Sequence, residues 1–329
     1  MDGDTLGYPG SYQTLMDDIW GSSAKDVYAV GHNSQNRGLM WHYDGKKWID
    51  VHLITSEGGQ ISGAIDLSAI YGFSSTNIYA VGERIRPNPS PPPNFIDSSL
   101  IIHYDGSTWK EVNVYNGRHL NDIYGNSLSE IWAGGGGEKM YHYNGSKWEA
   151  DSISISVRPD YIFQVTAISS YNSNIYLIGN SNNNSTAETI TYFIKRANNK
   201  WVLQDSAITS GNGSQIGLPF GERLNQSRLS NLFSNGMGGI YKYDGSSWGN
   251  FFQQTYPIIS MWGTSNENIF AVGNIGRVYH YNGTDWKQIA ELNNPQTDYF
   301  AVWTDGTEAF VVGHINDGAY QKTIIWHGK

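Results

Sequence analysis

Three residues of types that hold metal ions, His32, Glu83 and His314, each stand directly after a glycine that ends a strand-like segment (Gly31, Gly82 and Gly313). Imidazole and carboxylate together suit a divalent cation. Five carboxylates, Glu83, Glu138, Asp160, Glu222 and Asp317, could supply the acid and base of a glycosidase. Arg84, Arg118 and Arg223 could form the three-arginine grip expected of a sialidase, although nothing in their spacing selects them. Other chemistries lack their parts. Cysteine is absent, which removes thiolate nucleophiles, zinc–thiolate sites and disulfides together. The glycine run 134–137 lacks the helix and lysine that cradle a phosphate.

What such residues can do depends on the elements that carry them, and those elements repeat. A unit opens with an apolar–aromatic–small triplet such as Ile19-Trp20-Gly21. A short polar turn leads into a second segment, Asp26-Val27-Tyr28-Ala29-Val30-Gly31. After a variable insert come Met40-Trp41-His42-Tyr43, the turn Asp44-Gly45, and Trp48 in a fourth segment. Copies open near positions 19, 70, 123, 168, 232, 261 and 302. The fourth keeps Asn174-Ile175-Tyr176-Leu177-Ile178-Gly179 and Trp201 but loses the tight turn, and the fifth has no clear second segment. Period-two alternation marks strands, and Asp-Gly or Asn-Gly between segments is the strongest short hairpin signal. Four strands in each of seven units predict an all-β, seven-bladed β-propeller with four-stranded antiparallel blades, occupying 1–329 as a single domain. The seventh copy stops after Ile325-Trp326-His327. The N-terminal segment, around Thr5 to Tyr12, is therefore expected to supply the missing strand and close the ring.

The repeat absorbs most residues that first suggest chemistry. All 12 tryptophans fall on repeat positions and are expected to pack between blades. His42, His103, His142, His280 and His327 recur at one strand position, as hydrogen-bond partners within a blade would. The Asn-Gly-Ser/Thr sequons at Asn144 and Asn282 follow from hairpin chemistry. Adjacent second-strand ends would lie roughly 10 Å apart, too far for one ion to bridge His314, His32 and Glu83, so neither a metal nor a cofactor is expected.

The loops are what remain. Links between strands two and three, and links between blades, should emerge on one face, and nearly all long segments are of these kinds: 84–97 with its five prolines, 152–161 and 208–228. Loops gathered on one face of a rigid scaffold are the usual place for binding. The candidate ligand-binding residues are His32, Glu83, Arg84, Arg86, Arg118, His119, Arg158, Tyr161, Glu222, Arg223 and His314, types that suit a glycan or an anionic peptide.

Composition narrows the partner. The 21 Lys and Arg are scattered and the sequence pI is about 5.4, so the basic patch a nucleic-acid binder needs is missing. No apolar stretch approaches the roughly 20 residues of a membrane span. The surplus of Asn, Ser, Gly and Tyr over Lys and Glu predicts an extracellular or cell-surface setting. No signal peptide is present, but Met1-Asp2-Gly3-Asp4 reads as a trimmed start and decides nothing.

The units resemble kelch and WD-repeat propellers, with the kelch double glycine present as Gly134-Gly135. The hairpin His-Tyr-Asp-Gly-x-x-Trp is similar to the Asp-box turn of sialidase-type propellers. That pattern places a residue between Asp and Gly, whereas Asp44-Gly45, Asp105-Gly106 and Asp244-Gly245 are adjacent. A closer likeness, over essentially the whole chain, is to the Trp-Gly-opened repeats of bacterial surface and secreted proteins. It implies a propeller in an envelope or extracellular setting with no assigned chemistry. The expectation is a monomeric, non-catalytic binding propeller for carbohydrate or protein at a bacterial surface, without a nucleic-acid partner. Alternatives are a glycan-active hydrolase or lyase using the loop face, and a structural module of a larger surface assembly.

Overall fold

The computed structural model describes residues 2–35, 39–112, 117–209, 220–227 and 229–329. Strands dominate them, joined by turns and two short 3-10 segments, Thr55–Glu57 and Ala290–Leu292. The strands form five four-stranded sheets and one eight-stranded sheet. Each four-stranded sheet is an antiparallel meander. The eight-stranded sheet joins the seventh repeat to the first, where Tyr320–Gly328 meets Gln13–Ser23 in a short parallel pairing. First strands contact their neighbours in chain order, Gln13–Ser23 against Ala64–Ser74, then Leu120–Ser127 and Ile162–Tyr171. Thr297–Thr304 returns to Gln13–Ser23. This closed ring of radial sheets is a β-propeller.

Six first strands carry a β-bulge at the same place, between Met16 and Asp18, Leu67 and Ala69, Leu120 and Asp122, Val165 and Ala167, Ile258 and Ser260, and Tyr299 and Ala301. At four of the six a second-strand glycine explains it, whereas at Gly179 and Gly313 a Cβ would meet an aromatic ring before a carbonyl oxygen, which stands 3.1 and 3.0 Å away. Gly31 pairs with Met16, Gly82 with Leu67, Gly135 with Leu120 and Gly273 with Ile258. A Cβ on these glycines would stand 1.9, 2.0, 2.1 and 2.1 Å from the backbone carbonyl oxygen of the residue just before the bulge. Only a residue without a Cβ lets the two backbones approach so closely. The glycine closing the Ala-Val-Gly motif is thus the partner of the bulge.

The opening triplet is an inter-blade fit. A Cβ on Gly72 would lie 2.5 Å from the Trp20 ring, one on Gly21 would lie 2.9 Å from Trp303, and one on Gly125 would lie 2.2 Å from Phe73. An aromatic of one repeat therefore fills the hollow left by the next repeat's glycine. The five repeat histidines stack on the second-strand aromatic, with centroids 4.0–4.5 Å apart. His42 reaches Asp26 at 2.7 Å, His103 reaches Asn77 at 3.1 Å, His280 reaches Asn268 at 2.7 Å, and His327 reaches Glu308. They belong to the blades.

Three sequence expectations need correction. The closing strand is Asp2–Leu6, antiparallel to Tyr320–Gly328, rather than Thr5 to Tyr12. The fifth repeat opens at Arg223–Leu224, not near 232. Leu232-Phe233-Ser234 imitates the triplet, but Leu232–Gly236 is the second strand, pairing with both Arg223–Leu224 and Gly239–Tyr243. The fourth repeat has not lost its turn, because Asn198 and Asn199 (φ 50° and 59°) connect Glu188–Ala197 to Lys200–Thr209. Asparagine tolerates this left-handed backbone better than other non-glycine residues. Asn199→Ala is therefore expected to cost about 1 kcal/mol, and Asn199→Gly nothing, read as urea midpoints.

Candidate functional site

Each bulge turns one extra side chain toward the axis, and these residues are Asp17, Ser68, Asn121, Thr166, Ile259 and Phe300. Bulges commonly re-aim a side chain beside a functional site. Together with Asp18, Asp122, Gln164, Arg223, Gln226 and Trp262 they line a cavity of about 470 Å³. It lies where the first strands begin, the end from which the inter-blade links and strand 2–3 links emerge. One side is apolar, with Ile259, Met261, Trp262, Phe300 and Val302 from repeats six and seven. The other carries Asp17, Asp18, Asn121 and Asp122 from repeats one and three.

The deeper carboxylates tie blades together. Asp18 accepts from the backbone N–H of Ile19 and of Ile70, both at 2.9 Å. Asp122 accepts from Ile123 N–H at 2.9 Å, from Ile168 N–H at 2.5 Å, and from the Gln226 side-chain amide. Each aspartate thus satisfies N–H groups that the innermost strands of two successive repeats would otherwise leave unpaired. Burial pushes the Asp18 carboxyl up to about 7 and the Asp122 carboxyl up to about 8, against the lowering effect of the backbone donors and of Arg223. Asp18 retains some exposure to the cavity while Asp122 is only 5% exposed, so Asp122 carries the larger consequence.

A second group sits at the rim. Asp17 Oδ2 lies 2.9 Å from His32 Nδ1, and this hydrogen bond raises the His32 pKa. His314 stacks on Phe300 (4.2 Å), and its Nε2 meets the Met16 carbonyl at 3.0 Å and stands 3.8 Å from Asp17 Oδ1. Burial lowers the His314 pKa and raises those of Asp66 and Glu83. His32 therefore hydrogen-bonds Asp17, His314 stands beside that aspartate without a hydrogen bond to it, and Glu83 pairs across from Asp66. Among the described residues, no three His, Cys, Asp or Glu side chains are placed to hold a metal ion.

The remaining candidates are dispersed around the loop face. Arg84 makes a two-pronged ion pair with Glu111, and Arg86 reaches Ser98 at 3.3 Å. Arg158 and Tyr161 both bind Glu188, at 2.7 and 2.5 Å. Arg118 and His119 flank Gly136, and the Glu222 carbonyl accepts from Thr166 at 3.0 Å. Arg223 lines the cavity and donates to the Thr166 carbonyl at 3.2 Å, but Arg84 and Arg118 do not join it. Glu83, Glu138, Asp160 and Glu222 are not among the lining residues. The Asp317 side chain, Arg228, and positions 210–219 of the link 208–228 lie outside the described residues. The bulge residues were missed from sequence. Their signal was present, since each stands two positions before its opening triplet and opposite a second-strand glycine.

No family model matches the sequence, and no curated protein matches it. Solved structures do resemble the fold. YCF48 bound to a D1 peptide superposes with TM-score 0.60 at 11% identity, covering 99% of this chain and 97% of that one. U3-55K gives 0.61 at 9% identity, covering 98% of each chain. The Neurospora crassa Pan2 WD40 domain gives 0.57 at 9% identity, covering 95% of this chain and 89% of that one. At such identities the likeness shows that the chain has a β-propeller fold.

Proposed function

We propose that this chain is a non-catalytic binding propeller of seven blades, the eight-stranded sheet counting as two, whose loop face holds a segment of a protein partner over the axial cavity. The observation that carries this reading is the distribution of exposed apolar side chains. Seven of the eleven exposed large hydrophobics among the described residues (Tyr12, Phe95, Ile96, Ile162, Ile208, Tyr256 and Tyr320) lie at the loop-face ends of strands or in the links there. Exposed apolar surface gathered on one face marks an interaction site, and these residues could supply much of the roughly 800 Å² that one partner contributes to a standard interface. YCF48 has been captured with a peptide, which fits the same use of a propeller. The Asn-, Ser-, Gly- and Tyr-rich composition favours a cell-surface or extracellular setting.

A glycan ligand is the second reading. Tyr12 and Tyr320 are stacked 5.9 Å apart and 66% and 46% exposed, beside the Gln13–Gln321 hydrogen bond. Aromatic faces bordered by amides suit a sugar ring.

Immobilised nonapeptide and glycan libraries, probed side by side with the purified chain, separate the two. Peptide binding weakened about tenfold by Trp262→Ala, as for a buried aromatic anchor, is the expected result. Glycan binding abolished by Tyr320→Ala would favour the second reading. Binding to neither library would refute both.

A further inference from the structure

We infer that the side chain of the bound segment that enters the axial cavity is a lysine or an arginine, its methylenes against Ile259, Trp262 and Phe300 and its charge at Asp17. This rests on the peptide-binding reading and names the chemistry which that reading leaves open.

The cavity itself sets the shape of its occupant. Most of its large apolar groups come from repeats six and seven and its carboxylates from repeats one and three, with Gln164, Thr166, Arg223 and Gln226 of repeats four and five adding further polar groups. A side chain crossing it needs an apolar stem and a polar tip, which is how lysine and arginine are built. Trp262 and Phe300 favour a cation further, because the face of an aromatic ring attracts positive charge within about 6 Å.

Charge complementarity selects the sign of the tip. Of the three carboxylates that line the cavity, Asp17 stands at the rim, whereas Asp18 and Asp122 lie deeper, where burial opposes their ionisation. Asp66, close to Asp17, and Glu83, paired across from Asp66, are outside the lining. Facing these carboxylates are His32, held by Asp17, and Arg223, whose Nη1 is committed to the Thr166 carbonyl. His314, with its pKa lowered by burial, adds little positive charge at neutral pH. An anionic tip would meet the Asp17 carboxylate, and a neutral aliphatic one would leave its Oδ1 without a donor. Asp17 is reachable, with its side chain 32% exposed. Its Oδ2 is taken by His32. The nearby His314 Nε2 is 3.0 Å from the Met16 carbonyl and 3.8 Å from Asp17 Oδ1, which leaves Oδ1 open to a ligand's N–H.

The test uses the full chain and a bead library of acetylated, amidated nonapeptides. The strongest binder is resynthesised with its selected residue changed to norleucine and to glutamate, and each affinity is measured by calorimetry at low and high salt. The expected binders share a lysine or arginine at one position. Norleucine there should weaken binding at least about tenfold, by loss of the charge pair, and glutamate should weaken it more. Asp17→Asn should bring the lysine and norleucine peptides to within about twofold while leaving norleucine affinity unchanged, which also reports that the variant is folded. Binders without a preferred basic position, or a lysine-to-norleucine ratio that Asp17→Asn does not alter, would overturn the inference and leave peptide binding standing. A library with no binder at all would overturn both.

Discussion

Gly82→Ala is expected to lower stability by about 1–3 kcal/mol, because inserting a methyl group into a filled site forces the backbone apart. The obstacle is the Asp66 carbonyl oxygen, 2.0 Å from where the Cβ would lie, with Leu67 Cα at 2.8 Å. Neither atom is the far end of a flexible side chain, so relief requires the bulge at Ser68 to move. The control is Gly249→Ala. A Cβ there meets nothing within 4 Å, and the substitution should be neutral or stabilise by up to about 1 kcal/mol through the unfolded chain. Equal urea midpoints for the two variants would refute the claim that the second-strand glycine seats the bulge. Ser68 lines the cavity, so Gly82→Ala should also weaken any ligand bound at the axis.

The second large effect is on pH dependence. Asp122 is pushed up to about 8 and Asp18 to about 7 by burial, whereas an unfolded aspartate titrates near 4. Between those values the folded chain binds more protons than the unfolded one, so stability falls as pH rises. The contribution is complete below about pH 4 and is lost as pH climbs through 7 to 8. While a group is protonated folded and ionised unfolded, the slope is about 1.4 kcal/mol per pH unit. The lowered pKa values of His103, His142, His280 and His314 act oppositely, raising stability as pH rises toward 6.5, so the difference between variant and parent is the useful quantity. Asp122→Asn should remove much of the decline between pH 5 and 8, read from urea midpoints, whatever offset it adds at every pH. An unchanged slope would mean that the Ile168, Ile123 and Gln226 donors hold the carboxylate ionised throughout.

Much of the fold was legible because its signals are local. Asp44-Gly45 and its counterparts announce hairpins, and alternation in Val27-Tyr28-Ala29-Val30 announces a strand with two faces. The errors came where one local pattern served another purpose. Leu232-Phe233-Ser234 has the chemistry of an opening triplet, yet the fifth repeat spends it on a second strand and opens with only two paired residues, Arg223 and Leu224. Asn198-Asn199 makes the turn that Asp-Gly makes elsewhere, and a search for glycine passes over it.

The site was harder to read, for a physical reason. A bulge shifts the inward-facing register by one residue, so Asp17, Ser68 and Asn121 cannot be placed by counting alternation alone. The loop arginines offered the opposite difficulty. Arg84 and Arg158 look free in sequence, but their partners, Glu111 and Glu188, arrive from strands 27 and 30 residues away. Pairing across that distance is a property of the fold.

Hydrogen exchange on the chain with and without its strongest library peptide tests the central claim most directly. The account predicts slowed exchange at the loop-face end of the first strands, around Asp17, Ser68, Asn121, Thr166, Ile259 and Phe300, with the turns at the opposite end unchanged. Protection confined to those opposite turns, around Ala24 and Asn266, or no protection at all, would contradict it.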